Sequence, residues 1–372
     1  MKKLFLILLI GVLALSGVVV GCVPEAEVPQ GEEVPEEEKE EEVVPIEKIS
    51  WDAGTTAEGS TNYIATATIA ELTFRYLKDY IEMGPIPYTS STVGLKGYDA
   101  GEVDSMYASM QQVDQVMTAT GAFSPDLYKW TRPVSQLFWI YDLPFFAFIR
   151  AGDKDEITCW SDFAGKKIFP QMKGAGTYEI MRVVLGPEGL DIWDKMDVKD
   201  FHRDHAGDAL KLREVDLVAS YGMGAPVGWG EVAMAKLDCA VVPPTAEELE
   251  IMLNAAPWIS PMTIDPVAYF AGKDVGLKAP MNTFGLPFIY FVDPDMDEEY
   301  IYQLTKCVFE HADELVANAP GTWADWAAVG PMDYNLKYWS KCYAEYPNLP
   351  LHAGVKRYLE ELGYDLGKLG LE

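Results

Sequence analysis

Apolar and polar positions along this chain alternate between two periods. From Ile49 onward, short apolar runs with strand character are each followed by a segment with helical spacing. Ile49 to Gly54 predicts a first strand, and Thr55 to Asn62 a loop of turn and cap residues. Ile64 to Tyr80 then predicts a helix, with Ile64, Ala67, Leu72, Tyr76 and Leu77 on one stripe. A second unit repeats the order: Ile86 to Thr89 as strand, Ser90-Ser91-Thr92 as cap, and a short helix ending near Gly101. Glu102 to Ala108 predicts the third strand, with a helix starting near Gln111. Strands separated by single helices predict a mostly parallel sheet with helices on both faces, an α/β fold.

Ser135 to Arg150 is apolar and aromatic almost throughout, long enough to leave one lobe and enter another. Trp160 to Ile168 opens a second series, in which the Gly-rich loop Lys173 to Thr177 runs into a helix from Tyr178 to Leu185. Val215 to Ser220 predicts a buried strand, and Gly285 to Val292 a return crossing. A single helix is predicted over Tyr300 to Leu315, and a last one between Pro350 and Gly363. The expected organisation is two lobes joined by two hinge crossings. Residues 49–149 and 281–372 form the first, and 150–280 the second.

The first residues follow a different rule. Lys2 and Lys3 precede an apolar run from Leu4 to Leu15, and small residues lead to Cys22, the order of a secretory signal. The run to Gly21 is also at the short limit for an uncleaved membrane anchor. Residues 22–48 read as an acidic tether beginning at Cys22. The part from Val23 to Lys48 holds eleven Glu, four Pro and no aromatic residue. Like charges and the lack of apolar mass keep such a segment extended, as a spacer from a membrane or as a protein-binding tail.

Composition narrows the function. A formal net charge of −29 on 372 residues, with no Lys/Arg cluster, argues against nucleic-acid binding. Beyond Cys22, the cysteines are Cys159, Cys239, Cys307 and Cys342, with no C-x-x-C pair to suggest zinc. Export would permit a disulfide, and buried free thiols fit equally well. His202 and His205 have i, i+3 spacing, for which a charged surface turn is the ordinary explanation over a metal site. No motif of a hydrolase, P-loop or dinucleotide enzyme is present, so the expectation is a protein without catalysis, cofactor or metal.

Binding chemistry is better supported. In an α/β sheet, ligands sit beyond the carboxyl ends of strands, where helix N-termini point. Thr55, Ser60 and Thr61 offer hydroxyls and backbone N–H groups at the first such end, with Tyr63 beside them. Ser91 and Thr92 do so at the second, and Gln111 begins the third helix. Lys173, Gly174, Gly176 and Thr177 form a like arrangement in the other lobe, with Tyr221 and Met223 as candidate apolar walls. Each loop alone reads equally as a satisfied N-cap; together they favour one anionic ligand.

These segments, in this order, resemble the TAXI family of solute receptors for TRAP (tripartite ATP-independent) transporters. Val19-Val20-Gly21-Cys22 resembles a bacterial lipobox, which implies a lipid on the Cys22 thiol. Gly54 to Tyr63 is similar to the family's opening Gly/Thr/Ser loop, and Thr89 to Asp104 to its second motif. Asp162 to Ile168 with Gly174-Ala175-Gly176-Thr177 resembles the run through the second lobe. Pro350-Leu351-His352-Ala353-Gly354 resembles the closing motif, with Ala353 and Ala175 where relatives have Pro and Ser. The resemblance implies a type II-like periplasmic-binding-protein fold, exported and lipid-anchored. It would close on a small organic anion, a carboxylate or amino acid, and deliver it to TRAP membrane subunits. Binding proteins of ABC importers or sensor systems share the bare fold, and an exported enzyme is a further alternative.

Overall fold

Residues 47–173, 176–222, 237–270, 272–277 and 279–371 are described by the structure, a computed structural model. Cys22, Gly174 and Met223 lie outside them, as do the export signal and all but the end of the tether. No helix among the described residues is long and apolar enough to cross a membrane.

Three βα units open the chain: β1 (Ile49–Thr55), α1 (Thr61–Tyr76), β2 (Ile81–Pro87), α2 (Ser91–Asp99), β3 (Ser105–Ser109) and α3 (Met110–Met117). β1 lies between β2 and β3 and is parallel to both. Gly54 permits the last of these contacts, since a Cβ there would meet Met106 Sδ at 2.6 Å. Ser60, Ser90 and Ser109 each cap the helix that follows, accepting the N–H of Tyr63, Val93 and Gln112. Three parallel strands ending at three serine-capped helices place three helix starts along one edge of the sheet.

The chain then enters β4 (Ser135–Arg150), buried over all 16 residues. There follow β5 (Lys167–Phe169), α4 (Gly176–Leu185), β6 (Asp197–Val198), β7 (Leu217–Tyr221), β8 (Cys239–Val242), α5 (Ala246–Asn254), β9 (Ser260–Ile264), α6 (Pro266–Tyr269) and β10 (Met281–Val292). Ser135 to Pro144 of β4 pairs antiparallel with β10, which continues the sheet to β3. Phe145 to Arg150 pairs instead with β7 and β8. One strand thus serves two regions of a mixed, curled sheet with helices on its flanks. β5, β6 and β7 run parallel in the second region. A strand shared this way must be apolar on both faces, which is why its sequence shows no alternation.

Six helices close the chain: α7 (Glu298–Glu310), α8 (Ala312–Asn318), α9 (Ala324–Val329), α10 (Pro331–Glu345), α11 (Ala353–Glu361) and α12 (Leu366–Leu369). The single helix expected over 300–315 is two. His311 leaves helical geometry because its ring stacks on Tyr76 of α1, 3.6 Å between centroids. α9 and α10 cover the back of β4 through buried hydrogen bonds. The β4–β10 ladder slips between Tyr141 and Trp139. Beside the slip, Asn335 Oδ1 accepts the Trp139 N–H at 2.6 Å, and Trp326 Nε1 donates to the Trp139 carbonyl at 3.1 Å. Helix side chains supply the bonds that the bulged ladder leaves unmade. Cys159, Cys239, Cys307 and Cys342 are free thiols.

Candidate functional site

Capping chemistry accounts for part of the hydroxyl set and leaves the rest pointing to a site. Ser60 Oγ accepts the Tyr63 N–H at 3.2 Å and shares a hydrogen bond with Thr56 Oγ1 at 2.8 Å, so it fixes the start of α1. Thr61 and Tyr63 are half-buried in the first turn of α1. Thr55, the last residue of β1, is fully buried, and its Oγ1 has no hydrogen-bond partner among the described residues. An unpaired buried hydroxyl costs about 1–3 kcal/mol, and a bound polar group would remove that cost.

The second and third helix starts are joined directly. Gln112 Nε2 donates to Ser91 Oγ at 2.7 Å and to Thr92 Oγ1 at 3.3 Å, while its Oε1 accepts from Ser109 N–H at 3.2 Å. This capping box is legible as S-x-x-Q, yet it also ties α2 to α3. Beside Gln112, Gln111 is buried, and its Oε1 lies 3.6 Å from where a Cβ on Gly176 would sit. Gly176 is the first residue of α4, in the second region of the sheet. The two regions therefore approach at the starts of α3 and α4, with room for little more than a methyl group between Gly176 and Gln111.

Below these starts lies an aromatic floor that the sequence reading missed. Tyr107 and Tyr141 share a hydrogen bond at 2.9 Å, and the Tyr107 ring stacks on Phe288 with centroids 5.0 Å apart. Asn62, in the first turn of α1, donates its Nδ2 to Thr56 Oγ1 at 3.0 Å. Burial pushes both phenols well above their ordinary range, so they remain protonated hydrogen-bond donors at any physiological pH. Tyr107 and Tyr141 read as apolar strand residues in sequence, and only pairing across β3, β10 and β4 reveals the hydroxyl pair. Tyr221, at the end of β7, packs on Phe145 with centroids 5.9 Å apart.

Lys173 is exposed and its backbone N–H donates to Asp200 Oδ1 at 3.3 Å. Thr177 is half-buried in the first turn of α4. Just before this helix, the buried Gln171 holds φ at 124°, with its Nε2 donating to the Ala219 carbonyl at 2.7 Å. Such a backbone angle is strained for a residue with a side chain and is typical of functional loops. The side chains of Arg75, Arg132, Arg150, Arg213 and Arg357 pair with carboxylates away from these helix starts, and Arg182 pairs with Glu179 in the first turn of α4. His352 is a cap: its Nδ1 accepts the Gly354 N–H at 3.1 Å, and burial lowers its pKa. Gly354 follows because a Cβ would strike Glu298 O and Tyr302 N at 2.5 Å. The closing Pro-Leu-His-Ala-Gly segment is therefore structural.

A cavity of about 660 Å³ lies beside α5, lined by residues such as Pro243, Leu249, Leu277 and Met281. A second, of about 300 Å³, lies behind β4. Neither is lined by the starts of α1, α2, α3 or α4.

A curled mixed sheet, spanned by two crossing strands and with helix starts from both regions meeting, is the fold of the periplasmic solute-binding proteins. The structure described as the periplasmic sulfonate-binding protein SsuA from Methylobacillus flagellatus KT aligns over 86% of this chain and 96% of its own. The identity is 12% and the TM-score 0.51. SsuA from Escherichia coli aligns over 83% of this chain and 96% of its own, at 11% identity and TM-score 0.43. A structure from Bordetella bronchiseptica RB50 aligns over 86% of this chain and 99% of its own, at 12% identity and TM-score 0.47. Over residues 53–363 the chain matches the NMT1-like family, and it belongs to that family. No curated protein sequence matches it.

Proposed function

We propose that this chain is the extracytoplasmic solute-binding receptor of a TRAP transporter, of the TAXI type, and that it captures a small organic anion between two lobes. The supporting observation is the approach of Gly176, at the start of α4, to Gln111, at the start of α3. Two helix dipoles converge there from opposite regions of the sheet, each favouring a carboxylate by about 0.3–1 kcal/mol when exposed and up to about 2 when shielded. Residues 49–149 with 281–372 act as one lobe and 150–280 as the other, hinged where β4 and β10 cross. The ligand contacts are Thr55, Thr61, Tyr63, Ser91, Thr92, Gln111, Gly174, Gly176, Thr177, Tyr221 and Met223. Ser60 holds its loop, and Lys173 lends positive charge at the rim. No arginine is needed: backbone N–H groups, hydroxyls and amides share the ligand's charge. Cys22 carries the lipid, and the acidic tether lets the exported domain reach the membrane subunits. Nothing in this role calls for catalysis or a cofactor.

A thermal-shift screen of carboxylates, amino acids and sulfonates on the chain from Ile49 tests the ligand class. A true ligand at ~100 times its dissociation constant stabilises by about 2.7 kcal/mol. A shift only with sulfonates would favour the second reading, an ABC importer's binding protein, which the likeness to a sulfonate-binding SsuA suggests. Reconstituted uptake driven by an ion gradient without ATP separates the two transporters.

A further inference from the structure

We propose that the back of the hinge holds a second site, a pocket for a small aliphatic ammonium clasped by Asp325, Asp142 and Tyr269. The cavity of about 300 Å³ behind β4 is bordered by these three residues and by apolar groups including Pro144, Met262 and Ile264. Its walls come from three separate parts of the chain: the crossing segment of β4, the β9–α6 segment and α9. At ~30 Å³ per water it is large enough for an amine of about five or six heavy atoms.

The polar lining is one-sided. Asp142 is buried and its carboxylate accepts hydrogen bonds from the hydroxyls of Tyr338 and, at 3.2 Å, Tyr334. Asp325 Oδ2 accepts the Asp142 N–H at 2.7 Å, and no donor among the described residues meets its other oxygen. Tyr269 is 6% exposed, and its hydroxyl has no hydrogen-bond partner among the described residues. The cations nearby are engaged outside the cavity. Lys337 Nζ donates to the Tyr338 hydroxyl at 3.1 Å, and Lys341 Nζ to the Ile259 carbonyl at 3.1 Å and Ser260 Oγ at 3.4 Å. Two desolvated carboxylates and an unsatisfied phenol thus border one space without a cation in it. An ammonium has three N–H donors and meets this lining. One bonds Asp325, one Asp142 and one the Tyr269 oxygen, and the Tyr269 O–H then turns to the Asp325 carboxylate. The alkyl part covers the apolar wall. Asp142, Asp265 and Asp325 all border the cavity, yet no three ligating side chains among the described residues are gathered closely enough to hold one metal ion, which sets an organic cation ahead of a divalent metal.

Protonation follows from the same geometry. Burial, with the neighbouring Asp142 charge, pushes Asp325 up to about 7, while Lys337 opposes the rise. Asp142 is also raised by burial, against the Tyr338 and Tyr334 hydroxyls and Lys337 and Lys341. Asp265 completes the ionisable lining. An ammonium needs the ionised carboxylate, so its affinity rises as pH passes upward through 7.

Titration calorimetry of the full chain with n-butylammonium chloride, at constant ionic strength, tests the site. Saturable binding at pH 8, weakened about tenfold or more at pH 5.5, supports it. Asp325→Asn should weaken that binding about tenfold or more, and Tyr269→Phe several-fold, with Gly176→Asp leaving it unchanged. Absence of saturable heat up to about 50 mM overturns the proposal. So does wild-type affinity in Asp325→Asn, or equal affinity for sodium chloride. Should Asp325→Asn fail to fold, wild-type affinity in Tyr269→Phe overturns it in the same way.

Discussion

Tyr141 and Asp142 are neighbours on β4, yet they face opposite electrostatic worlds. Successive side chains of a strand point to opposite faces. The Tyr141 side meets Tyr107 and Phe288 below the helix starts, where neutral donors collect. The Asp142 side meets Tyr334, Tyr338 and Asp325 under α9 and α10, where carboxylates collect out of water. Both faces are buried, so burial does not separate them. What differs is which partners the rest of the chain brings: helix N-termini in front and side-chain oxygens behind. On the two proposals above, a single crossing strand carries an anion-favouring face and a cation-favouring face one residue apart.

The comparison breaks most sharply at Gly176. Gly176→Asp sets a carboxylate at the start of α4, against Gln111. Like charges about 4 Å apart at a partly screened site repel by roughly 4 kcal/mol, so carboxylate affinity should fall by about 100-fold or more. The helix dipole tolerates the new charge, and the melting temperature should hold. Calorimetry showing unchanged carboxylate affinity would remove the front site from this position.

Asn335→Ala tests the back face as structure. It leaves the Trp139 N–H without its partner and costs about 2–4 kcal/mol in urea unfolding, because the bulged ladder offers no replacement. A loss under about 0.5 kcal/mol would mean that water reaches the bulge.

Asp325→Asn sharpens the electrostatic half of the contrast. The folded-state pKa of Asp325 lies above its unfolded value, so between about pH 4 and 7 the native state holds more protons than the unfolded chain. Native stability therefore falls as pH rises through that window. The asparagine variant should show a flatter profile and greater stability at pH 8 than the wild type. Equal slopes in urea titrations at pH 5, 6, 7 and 8 would contradict the burial of this charge.

The smallest effect is expected at Gln112. Gln112→Ala loosens the tie from α3 to Ser91 and Thr92, and should weaken the front ligand by about three- to ten-fold, one or two hydrogen bonds' worth. Affinity equal to wild type would make that amide purely a cap.

How far the chain could be read beforehand varied with the range of the interactions involved. β4 was legible to the residue, because a strand buried on both faces has to be apolar throughout, and Ser135 to Arg150 is nearly so. The caps at Ser60 and Ser90 were legible because a helix start needs a short side-chain oxygen within three residues. The helix over 300–315 was legible as apolar spacing, but its break at His311 was not, since Tyr76 lies more than two hundred residues away. The same holds for α10, whose register on β4 rests on Asn335 and Trp339 reaching backbone groups of a distant strand.

For the site, sequence alone determined the kinds of groups present: hydroxyls, glycines and amides at strand ends, where local turn and cap chemistry requires them. The tertiary structure alone decided which of them face one another. That Gly176 approaches Gln111, that Tyr107 bonds Tyr141, and that Asp142 lies beside Asp325 all depend on how the crossing strands fold over. Local preference acts over a few residues, whereas these meetings are set by the shared burial of surfaces far apart in the chain.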